Sequence, residues 1–133
     1  MCFGARDDSY GMFSIPHNGD ISSFKLVHLS GRVSCAAKQN RFSNWGCDVG
    51  EFLATYITSV SNKIVFPPIS GVKTYKLSGI WSNSSELTFN NLTVPMRVST
   101  GEQFRVWYGE DLKGQSEHDN GGKTCLDVFA LYV

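Results

Sequence analysis

The chain has 133 residues, with twelve basic and twelve acidic side chains and a formal net charge of zero. That length gives a single domain, residues 1–133, able to bury about two thirds of its unfolded surface without a metal or disulfide. No basic run is long enough to track a phosphate backbone, which excludes nucleic acid as an expected partner, and no apolar run nears the roughly eighteen residues of a membrane span.

In chain order, the start at Met1-Cys2-Phe3 lacks the basic and apolar regions of a signal peptide. An intracellular chain fits that, and so does one whose leader has been removed. Gly4 to Gly11 holds Asp7 and Asp8, has no clear period, and reads as an edge strand and loop. His17-Asn18-Gly19-Asp20 is a turn signal, and Phe24 to Leu29 then alternates as a half-buried strand that Val33 extends. From Lys38 to Asp48 the chain is polar, with Phe42 and Trp45 embedded in it. Two aromatics in a polar loop either anchor it or form a platform for a ligand. Asp48 with Glu51 resembles a helix capping box, so one helical turn is expected there.

Phe52 to Val60 is rich in β-branched and aromatic residues, as a pleated surface prefers. Ile64 to Phe66 is a short strand cut off by Pro67-Pro68. Val72 to Trp81, Glu86 to Phe89, Thr93 to Val98 and Phe104 to Tyr108 follow as further strands. The last run, Leu126 to Val133, would point Leu126, Val128, Ala130 and Tyr132 one way and Phe129, Leu131 and Val133 the other, with both faces covered. Short strands at regular spacing with almost no helix predict an all-β fold, an antiparallel β-sandwich of jelly-roll, galactose-binding-domain-like kind.

Four cysteines, Cys2, Cys35, Cys47 and Cys125, lack the close spacing of a zinc or redox motif, so disulfides are expected. Of the three possible pairings, Cys35 with Cys47 and Cys2 with Cys125 closes one local loop and ties the N-terminus to the last strand. Two glycosylation acceptors, Asn83-Ser84-Ser85 and Asn91-Leu92-Thr93, fall in expected turns. Together these features point to a secreted or cell-surface protein.

The most polar stretch runs from Trp107 to Gly122, between the last two strands. Glu110, Asp111, Glu117 and Asp119 with the amides of Gln115 and Asn120 crowd a short loop that also has Gly114, Gly121 and Gly122. Like charges in an ordered loop repel unless a cation lies among them, and calcium takes six to eight oxygen ligands at about 2.3 to 2.6 Å. Asp111 and Asp119 would lie roughly 27 Å apart if the chain between them were extended, so the loop must fold back for both to reach one ion. The pattern is not that of an EF-hand. A solvated acidic hairpin loop is the alternative reading.

Val106-Trp107-Tyr108-Gly109-Glu110-Asp111, followed after a gap by Asp119-Asn120-Gly121-Gly122, resembles the calcium and sugar loop of the galactophilic bacterial lectin family of the Pseudomonas galactose-lectin type. Asp119 stands where that family has the first of two amides, and Gly121 where it has a serine. Gly31-Arg32-Val33-Ser34-Cys35, followed by Trp45-Gly46, is a second and weaker similarity. The resemblance implies a calcium ion held by Asp111, Asp119, Asn120, the carbonyl of Cys35 and a backbone carbonyl of Gln115 or Ser116. It also implies Glu117, His118 and Trp45 as neighbours of a galactose-type sugar.

The three histidines, His17, His28 and His118, stand in no nucleophile or zinc-ligand spacing, so catalysis is not expected. Two functions remain: a calcium-dependent lectin for galactose-type glycans, expected to be a homo-oligomer because tethered weak sites gain avidity, or an extracellular adhesion or structural module with a calcium-stabilised or metal-free acidic loop.

Overall fold

The computed structural model describes residues 1–69, 73–114 and 117–133. Ten strands are found among them: β1 (Cys2–Gly4), β2 (Gly11–Ser14), β3 (Gly19–Ala36), β4 (Arg41–Ser43), β5 (Thr55–Ser59), β6 (Ile64–Phe66), β7 (Glu86–Thr88), β8 (Met96–Val98), β9 (Gln103–Tyr108) and β10 (Gly121–Tyr132). A 3-10 turn at Ala37–Gln39 and a single short helix, α1 (Gly109–Lys113), complete the list. The first sheet runs β1-β10-β3-β4, with β7 and β8 also paired to β3, and the second runs β2-β9-β5-β6. All the pairings are antiparallel. The chain is a β-sandwich.

The long strand β3 organises the first sheet. One edge pairs with β10 from Gly121↔Ser34 to Tyr132↔Ile21, and the other takes β8, β7 and β4 in turn. Its inward side chains, Ile21, Phe24, Leu26 and Val33, are buried against Ile57, Phe66, Phe104 and Val106 of the second sheet. Phe24 is central, packing edge-on against Phe13, Phe66 and Phe104 at centroid distances of 5.3 to 5.9 Å. Such tilted aromatic contacts each add about 0.5 to 1.5 kcal/mol beyond their burial.

Cys2 is bonded to Cys125 and Cys35 to Cys47. The first bond lies across the β1–β10 register pair. It brings the N-terminal segment alongside the last strand, and the second closes the loop between β3 and β5. Intact-mass measurement with a thiol-alkylating reagent under denaturing, non-reducing conditions should therefore find no modified cysteine. Four alkylated thiols would contradict both bonds.

Several local expectations are corrected. Asp48 to Glu51 forms bends and no helical turn, because the Asp48 carboxylate accepts the N–H of the adjacent Val49 and the Gly50 N–H is donated to Ser82 Oγ. Between Lys73 and Trp81 the chain makes only the isolated bridges Leu53↔Tyr75 and Leu77↔Ile80. The outward face of β10 is not covered, since Phe129, Leu131 and Val133 are 51%, 51% and 69% exposed.

Candidate functional site

The acidic stretch is more structured than a plain hairpin loop. Tyr108 ends β9, and α1 follows at once, with Glu110 and Asp111 in its first turn and Gly114 closing it at φ 66°. Its apolar anchor is Tyr108, fully buried, whose hydroxyl donates to the Gly46 carbonyl at 3.0 Å. Strand β10 starts at Gly121, not at Leu126, because Gly121 and Gly122 pair with Ser34 and Val33. Gly122 has φ 84°, and a Cβ there would collide with the Arg32 carbonyl, so only glycine fits this close crossing.

A second segment meets this turn. Asp7 and Asp8 have φ of 64° and 55°, an uncommon conformation for residues other than glycine. Bonds to the far end of the chain hold them. The Asp8 and Ser9 N–H groups donate to the two Asp111 carboxylate oxygens, each at 2.9 Å. The Asp7 N–H donates to Glu117 Oε1 at 3.2 Å, and Arg6 donates to the His118 carbonyl at 3.2 Å. Asn120 closes the contact by donating its amide to the Ala5 carbonyl at 2.7 Å. Residues 5–9, α1 and 117–120 thus form one acidic end of the sandwich.

Two buried oxygens in this end have no hydrogen-bond partner among the described residues, Glu110 Oε1 and Asn120 Oδ1. Leaving such atoms unmatched costs about 1 to 3 kcal/mol each, more for a charged group. Asn120 is only 3% exposed. Glu110 also accepts from the Asn120 amide and lies 4.0 Å from the Lys73 ammonium. A Glu110 oxygen and the Cys35 and Cys47 sulfurs lie within 4.8 Å of one another. Both sulfurs are tied up in the disulfide and offer no thiolate, so Glu110 is the ligand that group can supply.

The residues implied by the resemblance are partly gathered. Asp119 and Asn120 reach the end of β3, where the Asp119 carbonyl accepts from the Ala37 N–H at 2.9 Å, one residue beyond the β3 strand that carries Cys35. Asp111 is buried and its two oxygens already organise residues 8 and 9. Glu117 holds Asp7, and His118 is exposed on the same turn. Gln115 and Ser116 lie outside the described residues. Trp45 has no face open to a sugar: it is fully buried, its indole N–H donates to the Ser84 carbonyl at 2.7 Å, and its ring meets His28 edge-on at 5.8 Å. It is the anchor of its loop. The reading from sequence missed Asp7 and Asp8 as members of this end and did not place Glu110 among the ligands. The Cys2 to Cys125 bond was the available signal, because it sets residues 5–9 next to the turn that enters β10.

Burial raises the pKa of Glu110, against the opposing pull of Lys73 and the Asn120 hydrogen bond, with Asp119 pushing it further up. Burial likewise raises Asp111, against the two backbone hydrogen bonds, with Glu117 and Asp8 adding to the rise. A carboxyl raised on folding binds its proton more tightly in the native state, so its contribution is favourable at acid pH and is lost as pH rises through the folded value. In chelator, Glu110→Gln should therefore match the wild type at the acid end of the carboxylate range and exceed it in stability above that range. Urea unfolding of both proteins across pH checks this, and a difference flat with pH contradicts it.

No protein-family profile matches the chain, and neither does any of the curated proteins searched. Among solved structures, AJLec from the sea anemone Anthopleura japonica superposes with a TM-score of 0.87 at 32% identity. The match covers 99% of this chain and 92% of that one. The chain belongs to the same family as AJLec. AJLec is a lectin, and the correspondence with it extends over both sheets and the acidic end together. The similarity to bacterial galactophilic lectins, in contrast, rests on the loop residues and the shorter match at residues 31–35 and 45–46.

Proposed function

We propose that the protein is a calcium-dependent lectin that recognises galactose-type sugars through the acidic end of the sandwich. The observation that carries a carbohydrate-binding role is kinship with AJLec over nearly the whole chain. Calcium is supported by the donor set: hard oxygens from Glu110, Asp119 and Asn120, two buried oxygens without partners among the described residues, and nearby Asp7, Asp8 and Glu117 to balance a divalent charge. The Cys35 carbonyl, at the adjacent end of β3, completes the set that these residues would offer. Asp111 serves from behind, by holding residues 8 and 9 in place.

Bound calcium would supply coordination positions for two vicinal sugar hydroxyls. The chain's own part is to orient the sugar. Glu117 and His118 lie on the exposed turn, with a carboxylate to accept and an imidazole to donate. Galactose is the class of sugar favoured by the similarity of Asp111, Asp119 and Asn120 to the bacterial loop. No catalytic constellation is proposed. The two disulfides fit a secreted protein, and among the described residues no helix is long and apolar enough to cross a membrane.

A glycan array run with calcium and again with chelator tests this reading. Binding to terminal galactosides in calcium alone is the expected result. Binding that survives the chelator removes calcium from recognition, and binding confined to other sugars removes the galactose assignment.

A further inference from the structure

The acidic end leaves one feature of the opposite region unused. On the outer face of the first sheet, Ser23, Lys25, Thr88, Asn91, Phe129 and Leu131 line a groove of about 290 Å³. Phe129 and Leu131 are half exposed, although the Lys25 ammonium lies over the Phe129 ring at 5.3 Å from its centroid. The ring and the leucine lie side by side as a small apolar patch on the sheet face.

Asn91 stands at the rim of this groove and begins the triplet Asn91-Leu92-Thr93, an acceptor for N-linked glycosylation. Asn91 and Thr93 are both exposed. The segment is fixed on either side: the Phe89 N–H donates to the Phe24 carbonyl at 3.1 Å, Ser23 Oγ donates to the Phe89 carbonyl at 2.5 Å, and the Leu92 N–H donates to the Ser22 carbonyl at 2.8 Å. The backbone that carries Asn91 is therefore held beside β3, at the rim of the groove. The groove has room for a sugar ring, whose apolar C–H face suits the Phe129 ring.

We propose that Asn91 carries an N-linked glycan and that its first sugar covers the Phe129 and Leu131 groove. In the attachment, Asn91 Nδ2 bonds to the anomeric carbon of a lipid-linked diphosphate sugar as the bond from that carbon to the diphosphate oxygen breaks. The lipid diphosphate leaves, the amide proton passes to a base of the transferase, and nothing is oxidised or reduced. The same compartment that forms the two disulfides supplies this reaction in a eukaryotic secretory route. The second acceptor, at Asn83, has its side-chain oxygen bonded to the Asn44 N–H, and its residue does not line the groove.

The test is secretion of the full chain from a eukaryotic host, followed by glycopeptide mapping and hydroxyl-radical labelling of Phe129 and Leu131. Wild type, Asn91→Gln, Thr93→Ala, Thr93→Ser and Asn83→Gln are compared, with sedimentation of each. A hexosamine-based glycan on Asn91, and labelling of Phe129 severalfold lower than in Asn91→Gln and Thr93→Ala, is expected. Thr93→Ser and Asn83→Gln should keep that protection. An unmodified Asn91 in a host that modifies a control glycoprotein overturns the proposal. So does equal labelling with and without the glycan, including the case in which sedimentation shows a dimer that protects Phe129 in Asn91→Gln as well.

Discussion

Trp45→Ala should lower stability by about 3 to 5 kcal/mol, the range for removing a large buried aromatic. The indole is fully buried, and its removal also deletes the shorter of two hydrogen bonds to the Ser84 carbonyl, leaving only the one from the Asn44 amide. The backbone around it is equally committed. The Trp45 N–H donates to Ser82, and its carbonyl accepts from both the Ala54 N–H and the Thr55 hydroxyl. Loss of the ring therefore loosens the joint between residues 82–84 and the start of β5. Trp45→Phe keeps most of the volume and should cost less. Urea unfolding measures both, and the folded fraction of each variant should bind calcium and sugar as the wild type does. A variant of normal stability with selectively weakened sugar binding would return Trp45 to the role of ligand platform.

The contrast between Trp45 and its neighbours shows what was legible in the chain. Ile64–Phe66 was readable to the residue, because three β-formers abut a pair of prolines. The disulfide pairing was one of three the four cysteines allow, chosen because it closes a local loop and ties the N-terminus to the last strand, and both bonds are present. Trp45 left two readings open, because the residues next to it are polar while the groups that hold its ring, His28 and the Ser84 carbonyl, are distant in the chain. The start of β10 was hidden for a similar reason: Gly121 and Gly122 disfavour strand locally, and pairing with Ser34 and Val33 overrides that preference. Helix α1, five residues long, is too short to show a period. Asp7 and Asp8 carry no local pattern at all. Their conformation is set by acceptors more than a hundred residues downstream.

Asp111→Ala should remove that control, with a stability loss of about 2 to 3 kcal/mol in chelator. A hydrogen bond to a charged acceptor is worth roughly 1.5 to 3 kcal/mol, and this carboxylate accepts two; partial exposure of residues 8 and 9 lets water replace some of the loss. Two residues at positive φ have little reason to stay there once the bonds are gone. Residues 5–9 should then exchange amide hydrogens faster, and calcium affinity should fall although Asp111 has no oxygen free of other bonds. Asp111→Asn, with one amide oxygen in place of two carboxylate oxygens, should fall between the alanine variant and the wild type. Hydrogen exchange with calcium titration separates the steps. Unchanged exchange in residues 5–9 alongside lost calcium binding would instead make Asp111 a direct ligand.

Calorimetric titration of the wild-type protein with calcium, followed by galactose, and with galactose again in excess chelator, tests the lectin site most directly. One calcium should bind, galactose should then bind the calcium-loaded protein, and no heat from galactose should appear in chelator. The contrary result is galactose binding of equal affinity with and without calcium, or no calcium binding at all, which would leave the acidic end as a structural joint and place the sugar elsewhere on the sandwich.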